Sequence, residues 1–430
     1  MKLNALIRRK RGLEPCRFDH PLLETILGST YGVVVFQEQV DQLLETFCGY
    51  TPGEAEEIRD ELQRRRAEEW DEAMRTEVLS RAIQNGFSRR VANVVWELVS
   101  GFRGYGFAQG HALAFADISM RSVYCMQRYP AEYFAALLSS QPAGYYGPAT
   151  IANEARNRGI PILPLDVNRS EEWFAVENGA IRIGWMQQHN LSKATQRRIL
   201  EERERGGFRS VFDFAERVRP SVDELECLVL SGAFDELHSN RRATLWCVGE
   251  AARLRRDSRD VLFAELPEPS LPNVSDFTAY EKAVLERAML GMDVAQHLMA
   301  FERERIAAKG GIPCADASRL EDGKRAIVVG IAMRLRFPPT ASGRRVVFFD
   351  LEDESGLLNV TVFDETYQRD GHTIITSPFV TLRGYAQERE GHIAFVATRV
   401  YPYRMKVDPE GIAEQTGAVH AEDFITRRRS

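Results

Sequence analysis

The sequence predicts a multi-domain α+β protein that is mostly α-helical up to about residue 320 and ends in a β-barrel. Three observations predict it. A chain of 430 residues exceeds what one hydrophobic core supports. Amphipathic and charge-paired helical patterns fill residues 1–140 and resume at Ser192. After Ala326 the apolar period changes to the alternation of strands.

Composition excludes several classes. Hydrophobic residues make up 44% and charged residues 27%, the balance of a globular protein. No apolar run reaches membrane-span length and MKLNALIRRKRG has no signal-peptide core, so a cytoplasmic protein without membrane contact is expected. Cys16, Cys48, Cys125, Cys227, Cys247 and Cys314 form no C-x-x-C pair and no zinc spacing, so no metal site is expected. The net charge of −6 argues against a uniformly nucleic-acid-coated surface but permits local patches. Basic runs at Arg8–Arg11, Arg64–Arg66 and Arg427–Arg429 are ordinarily solvated helix faces.

Pro21–Leu27 opens a helical region. Val33–Phe36 then suits either a buried strand or a buried helix start, and Gln37, Glu38 and Gln39 behind it suit capping of a helix end. Gly53–Ile83 reads as one long charged helix, supported by Asp60 before Arg64 and Glu61 before Arg65, and ends at Gly86. Arg89–Val99 is amphipathic, and Phe115–Arg128 and Ala131–Ser139 continue as helices broken at Pro130.

Between these helices Gly101–Phe115, GFRGYGFAQGHALAF, reads as a glycine-rich joint. Phe102, Tyr105 and Phe107 supply ring faces, and Arg103 and His111 supply fixed and switchable charge, a mixture that suits a flat base and anionic phosphates. A structural loop with a packed histidine is the alternative.

Past Gln141 the composition shifts. Ala149–Arg158 reads as a helix, GIPILPLDVNRS as an extended connection, and EEWFAVENGAIRIGW as a hairpin turning at Asn178-Gly179. Helices follow at Ser192–Arg205, Ser210–Val218 and Val222–Ser231, with Gly232 as a stop, then at Arg241–Phe263 and Ser275–Arg287 around a proline-rich linker, Leu266–Pro272. Five strands lie between Ala326 and Pro402, with a short helix at Asp364–Arg369 after the third, the pattern of an OB-fold. Such barrels stack bases on aromatics and track phosphates with arginine, so Arg334, Arg336, Phe337, Arg344, Arg345, Phe348 and Arg383 are candidates. Glu352, Asp353 and Glu354, like Glu54, Glu56 and Glu57, read as solvated acidic faces.

YGVVVFQEQV, GYTPGEAEEIR and GYGFAQGHALAFADISMRSVYCMQRYPAEYFAALLSSQP, in that order, resemble the fingers of bacterial C-family replicative DNA polymerases. GYYGPATIANEARNRGIPILPLDVNRS resembles in particular the error-prone DNA polymerase III alpha subunit of damage-induced mutagenesis cassettes. The resemblance implies a partial, helical fingers domain at 1–160, a tandem helix-hairpin-helix region with a β-hairpin at 161–245, a helical linker region at 246–320, an OB-fold at 321–405 and a loosely ordered tail at 406–430. It implies that Arg59, Arg103, Tyr105 and His111 lie near an incoming nucleotide whose phosphates need cationic or N–H partners. Asp60 departs from the family, standing where a second base is expected, and would repel a triphosphate or pair with Arg59 or Arg64. Gln109 stands where replicative relatives often carry lysine.

Hairpin modules of this family aim backbone N–H groups at a DNA phosphate from a glycine-rich turn. QQHNLSKA at Gln187–Ala194 lacks those glycines, which leaves Lys193, Arg197 and Arg198 as candidate DNA contacts beside a purely structural alternative. The family's three palm aspartates, which hold two divalent metals, have no counterpart here, so catalysis by this chain alone is not expected. No cofactor is expected on the chain itself, and Mg2+ only together with a separate palm domain. The partners implied are single-stranded template, duplex DNA, dNTP, a palm-bearing polypeptide and other mutagenesis or replication proteins. The functions implied are DNA binding during DNA-templated synthesis in replication and translesion repair, or a non-enzymatic accessory role with the same modules.

Overall fold

A computed structural model of the chain describes residues 2–64, 68–102, 107–253, 270–339, 343–389, 391–409 and 411–412. The chain divides into two compact units, Met1–Tyr124 and Cys125–Ser430.

The first unit is helical: α1 (Lys2–Lys10), α2 (Pro21–Leu27), α3 (Gln37–Cys48), α4 (Pro52–Arg64), α5 (Glu68–Gln84), α6 (Arg89–Ser100) and most of α7 (Gln109–Arg128). Val40, Leu43, Leu44 and Phe47 fall on one stripe of α3 and are fully buried. Ala55 and Ile58 of α4, Val78 and Ala82 of α5, and Val91, Val95 and Val99 of α6 join them in one core. Gly49 closes α3 in the left-handed conformation at φ 67°.

Val33–Val35 forms no strand, and Phe36 is the N-cap of α3. The stretch is an extended connection whose one β-bridge is Phe36 to Phe107. The reason lies in Gln39, which is buried. Its Oε1 accepts from Val35 N at 2.9 Å and Phe36 N at 3.0 Å, and its Nε2 donates to Thr30 Oγ1 at 2.8 Å. One side-chain amide thus replaces the strand partner that the backbone would need. The expected helix over Gly53–Ile83 is helical throughout its described residues, as α4 and α5. Arg65 and Arg66 lie outside the described residues. The joint is also shorter than expected, because α7 starts at Gln109 and takes Gly110 and His111 into its first turn.

In the second unit come α8 (Pro130–Ser139), α9 (Pro148–Asn157), β1 (Ile162–Leu163), β2 (Ala175–Glu177) and β3 (Ala180–Arg182). The hairpin turns at Asn178 and Gly179 with φ of 52° and 80°, as that dipeptide favours, and β1 adds parallel to β3. Then follow α10 (Lys193–Glu204), α11 (Val211–Val218), α12 (Val222–Leu230), α13 (Arg241–Trp246) and α14 (Val248–Arg253). The expected helix from Arg241 breaks at Cys247 into α13 and α14, and its part beyond Arg253, with the start of the proline-rich linker, lies outside the described residues. Trp185, Phe214, Leu228 and Phe234 centre this core, joined by Leu285 and Met289 of α15 (Ala279–Leu290). Gly232 does more than stop α12: a Cβ there would lie 2.3 Å from the guanidinium of Arg241, which is buried against Asp235 and Glu286.

After α16 (Arg303–Ala307), β4 (Gly311–Ile312) and α17 (Cys314–Ala317), the barrel comprises β5 (Arg325–Arg336), β6 (Val346–Asp353), β7 (Gly356–Phe363), α18 (Asp364–Thr376), β8 (Phe379–Arg389) and β9 (His392–Pro402). The order β5-β6-β7-β9-β8 closes through β8 back on β5. This is the expected five-stranded OB-fold with its helix after the third strand. Val347, Phe349, Leu351, Leu358, Val360 and Phe395 fill the interior.

The acidic run on β6 overturns its expected role as a solvated face: Glu352 and Asp353 are 2% and 0% exposed. Helix α9 covers them. Thr150 Oγ1 donates to Glu352 Oε2 at 2.8 Å, and Asn153 Nδ2 donates to Asp353 O at 2.9 Å and to Glu352 Oε1 at 3.4 Å. Burial pushes the Glu352 carboxyl up to about 7, although Thr150 and Arg287 oppose the shift.

A pH dependence follows. A carboxyl raised in the fold contributes stability that is complete below its ordinary value near 4.5 and is lost as pH rises through about 7. Glu352→Gln is therefore expected to gain stability relative to wild type between pH 5 and pH 8, measured as the difference in urea midpoints at the two values.

Candidate nucleic-acid interface

Arg59 sits on α4, where the helical period turns it inward, and it is 7% exposed. Its guanidinium pairs with Asp41, with Glu56 at 3.2 Å and with Asp60 at 3.6 Å. Burial raises the Asp41 carboxyl to about 6 against the opposing pull of Arg59. The departure at Asp60 thus works as a partner to Arg59. Arg103 and Tyr105 lie outside the described residues.

His111 is exposed on the first turn of α7, with ring centroids 4.5 Å from Phe115 and 6.2 Å from Phe107. That turn is tethered by Glu38, whose carboxylate accepts from Gln109 N at 2.8 and 2.9 Å. None of the residues of α7 is buried, and Leu113, Phe115, Ile118 and Met120 stand exposed along it.

In the hairpin module the missing glycines are replaced rather than lost. Asn190 takes the left-handed conformation at φ 57°. Ser192 caps α10, accepting from Thr195 N at 3.1 Å. The anion position at that helix start is filled from within. Glu224 of α12 accepts from Ser192 N at 2.9 Å, from Thr195 Oγ1 at 3.0 Å and from Ser221 N at 3.0 Å. Burial pushes its carboxyl up, but these hydrogen bonds outweigh burial and hold it below the usual range. Arg198 faces the protein, donating to Val218 O at 2.8 Å and Thr195 Oγ1 at 2.9 Å. Arg197 is exposed, as is Lys193, whose Nζ meets Gln196 Oε1 at 3.2 Å.

On the barrel, Arg336, Arg344, Arg345 and Arg383 are exposed. Arg344 and Arg345 border an open cleft of about 590 Å³ between the β5–β6 connection and α18, together with Asp364, Tyr367 and His372. Arg345 lies 5.9 Å from the Tyr367 ring centroid and Arg383 lies 5.8 Å from that of Tyr401. Phe337 is half exposed and meets Tyr367 edge-on at 5.8 Å, while Phe348 is half-buried on β6. Arg334 occupies a bulge at φ 55°, bonded to Asp350 at 2.9 Å.

Sequence reasoning missed Glu224 and the two tyrosines of the Gly144–Gly147 loop. The Arg334 guanidinium lies 4.4 Å from the Tyr146 ring centroid and 5.1 Å from that of Tyr145. Two adjacent tyrosines between glycines were the available signal. Among the described residues no three His, Cys, Asp or Glu side chains gather into a group that could hold a metal ion. No described helix is long and apolar enough to cross a membrane.

Three family profiles match in order: the bacterial DNA polymerase III alpha subunit finger domain at residues 1–86, a helix-hairpin-helix motif at 159–244 and an OB-fold nucleic acid binding domain at 326–403. Fold and profiles together define a chain built of a polymerase-finger-like module, a hairpin module and an OB-fold barrel. The chain is 38% identical to the error-prone DNA polymerase of Symbiobacterium thermophilum over 93% of its own length and 41% of the relative's. It is 33% identical to the error-prone DNA polymerase of Corynebacterium glutamicum over 94% of its own length and 37% of the relative's. The chain is thus similar to error-prone DNA polymerases and spans about two fifths of the length of these relatives.

Since Arg59 is buried among carboxylates, Arg59→Met is expected to destabilise the first unit by about 3 kcal/mol, the scale for stranding one member of a buried pair. His111→Ala, at an exposed side chain, is expected to leave the unfolding midpoint unchanged. Chemical denaturation of both variants checks the contrast.

Proposed function

We propose that this chain holds DNA during DNA-templated synthesis in replication and translesion repair, with the single-stranded template on the barrel and duplex beside the hairpins. One observation carries the proposal: on a chain of net charge −6, exposed Arg344 and Arg345 line a cleft with Tyr367, whose ring meets Phe337, and Arg336 is exposed at the end of β5. Strands two and three of an OB-fold and the loop between its first two strands are where such barrels take oligonucleotides. Lys193 and Arg197 present charge to a duplex from the start of α10. His111 and the exposed first turn of α7 face an incoming dNTP in this proposal, and the rest of α7 offers its apolar side chains to a palm-bearing polypeptide. That polypeptide supplies the carboxylates, the Mg2+ and the nucleotidyl transfer, and other mutagenesis or replication proteins recruit the assembly.

An accessory, non-enzymatic role in DNA binding is a second reading, favoured by the engagement of Arg59 with Asp41 and Glu56, which leaves a triphosphate one cation fewer. Binding of a labelled dNTP to the chain separates the two, being expected on the first and absent on the second.

Phosphate contacts give affinity that falls with salt, at a log–log slope of about −0.7 per contact for single strands. Arg344→Ala/Arg345→Ala is expected to weaken binding of a fluorescein-labelled dT oligonucleotide and to flatten the slope by about 1.4. Lys193→Ala/Arg197→Ala is expected to weaken duplex binding only. Fluorescence anisotropy across a salt series reads both, and salt-independent or absent binding contradicts the proposal.

A further inference from the structure

The Gly144–Gly147 loop carries two tyrosines in a setting that packing does not account for. Tyr145 is 83% exposed and Tyr146 is 38% exposed. A tyrosine kept for structure normally buries its ring or bonds its hydroxyl. Among the described residues neither hydroxyl has a hydrogen-bond partner, and the one group the rings share is the guanidinium of Arg334.

That guanidinium is itself held with care. Arg334 adopts φ 55° at the bulge in β5, a conformation costly for a residue with a Cβ and maintained only where surrounding contacts demand it. The demand comes from Asp350, 3% exposed, which accepts from Arg334 Nη1 at 2.9 Å. The loop is held as firmly. Pro148 begins α9 directly after it, and Thr150 and Asn153 of that helix are bonded to the buried end of β6. The bulge, the buried aspartate and the docked helix therefore converge on keeping two water-exposed rings over one arginine. Arg336 lies two residues farther along the strand, 57% exposed, with its guanidinium 3.9 Å from the same Asp350 carboxylate.

We propose that Tyr145, Tyr146 and Arg334 form a stacking site for an unpaired nucleobase, placed where a single strand crosses from the barrel to the loop before α9. The proposal rests on the barrel's binding of single strands. It adds a contact made by the base and not by the phosphate, and hence one that tolerates any sequence, since every base presents a π-face. The rings take the base, and the fixed guanidinium sets their position and adds a cation–π contact.

The test uses the full chain and a fluorescein-labelled dT oligonucleotide, with binding read by anisotropy over a salt series. Tyr145→Ala/Tyr146→Ala is expected to bind about 5- to 100-fold more weakly at every salt concentration with the salt slope unchanged, because stacking releases no counterions. Tyr145→Phe/Tyr146→Phe, which keeps the rings, is expected to bind within about twofold of wild type, on the same stacking argument. On an oligonucleotide of abasic sites the alanine variant is expected to match wild type. Tyr145→Ala alone, at a side chain mostly in water, is expected to leave the fold intact and still weaken binding to dT, which separates the effect from misfolding. Unchanged dT affinity in the alanine variants overturns the stacking site while leaving the barrel's role standing, as does an equal loss on the abasic strand. Absence of oligonucleotide binding by the wild-type chain overturns both.

Discussion

A buried carboxylate governs the second unit. Glu352 is sealed between the end of β6 and α9, and a buried charge or carboxyl is tolerated only with partners. Thr150 and Asn153 supply them from a helix some 200 residues earlier in the chain. Around that point the polar contacts continue. Arg287 bonds Asp293 at 2.8 Å, Arg156 donates to the carbonyls of Asp293 and Val294, and Arg303 bonds Asp353 at 2.7 Å. His297 is buried beside them, and burial lowers it to about 4, so it stays neutral and accepts from Met299 N. These bonds join the barrel, α9 and the segment after α15, and the Tyr145–Tyr146 loop leads directly into α9.

Charge is also spent internally where nucleic-acid chemistry would look for it first. Arg59 is committed to Asp41, Glu56 and Asp60. The start of α10, where a hairpin motif would receive a phosphate, receives Glu224 instead, and Arg198 is turned to the carbonyl end of α11. Both arrangements stiffen their modules. The barrel differs, because Arg336, Arg344, Arg345 and Arg383 remain at the surface beside rings. The physical weight of the proposed DNA binding therefore falls on the barrel, with Lys193 and Arg197 as the exposed charges of the hairpins.

Local signals made much of this fold legible in the sequence. Asn178-Gly179 specified a hairpin through its own backbone preferences, the alternation after Ala326 specified five strands, and the amphipathic run Arg89–Val99 specified α6. What escaped depends on partners distant in sequence. Glu352, Asp353 and Glu354 look like a solvated strand end unless α9 is known to cover them. Asp60 hints in the sequence that Arg59 could be paired, but Asp41 on the preceding helix is seen to face it only in the fold. Val33–Phe36 suits a strand or a helix start alike because nothing in its period reveals that the Gln39 amide satisfies the backbone of Val35 and Phe36. The tyrosines of the Gly144–Gly147 loop read only as turn residues until the bulge at Arg334 brings a guanidinium beneath them.

The central claim, that a single strand lies along the barrel from the β5–β6 connection to the Tyr145–Tyr146 loop, is tested most directly by photocrosslinking. An oligonucleotide carrying 5-iododeoxyuridine would be irradiated on the chain and the adducts located by peptide mass spectrometry. The account expects adducts at Tyr145 or Tyr146 and at Phe337 or Tyr367, lost in the presence of excess unlabelled single strand. Adducts confined to α7 or to the helices α10–α12 would contradict it.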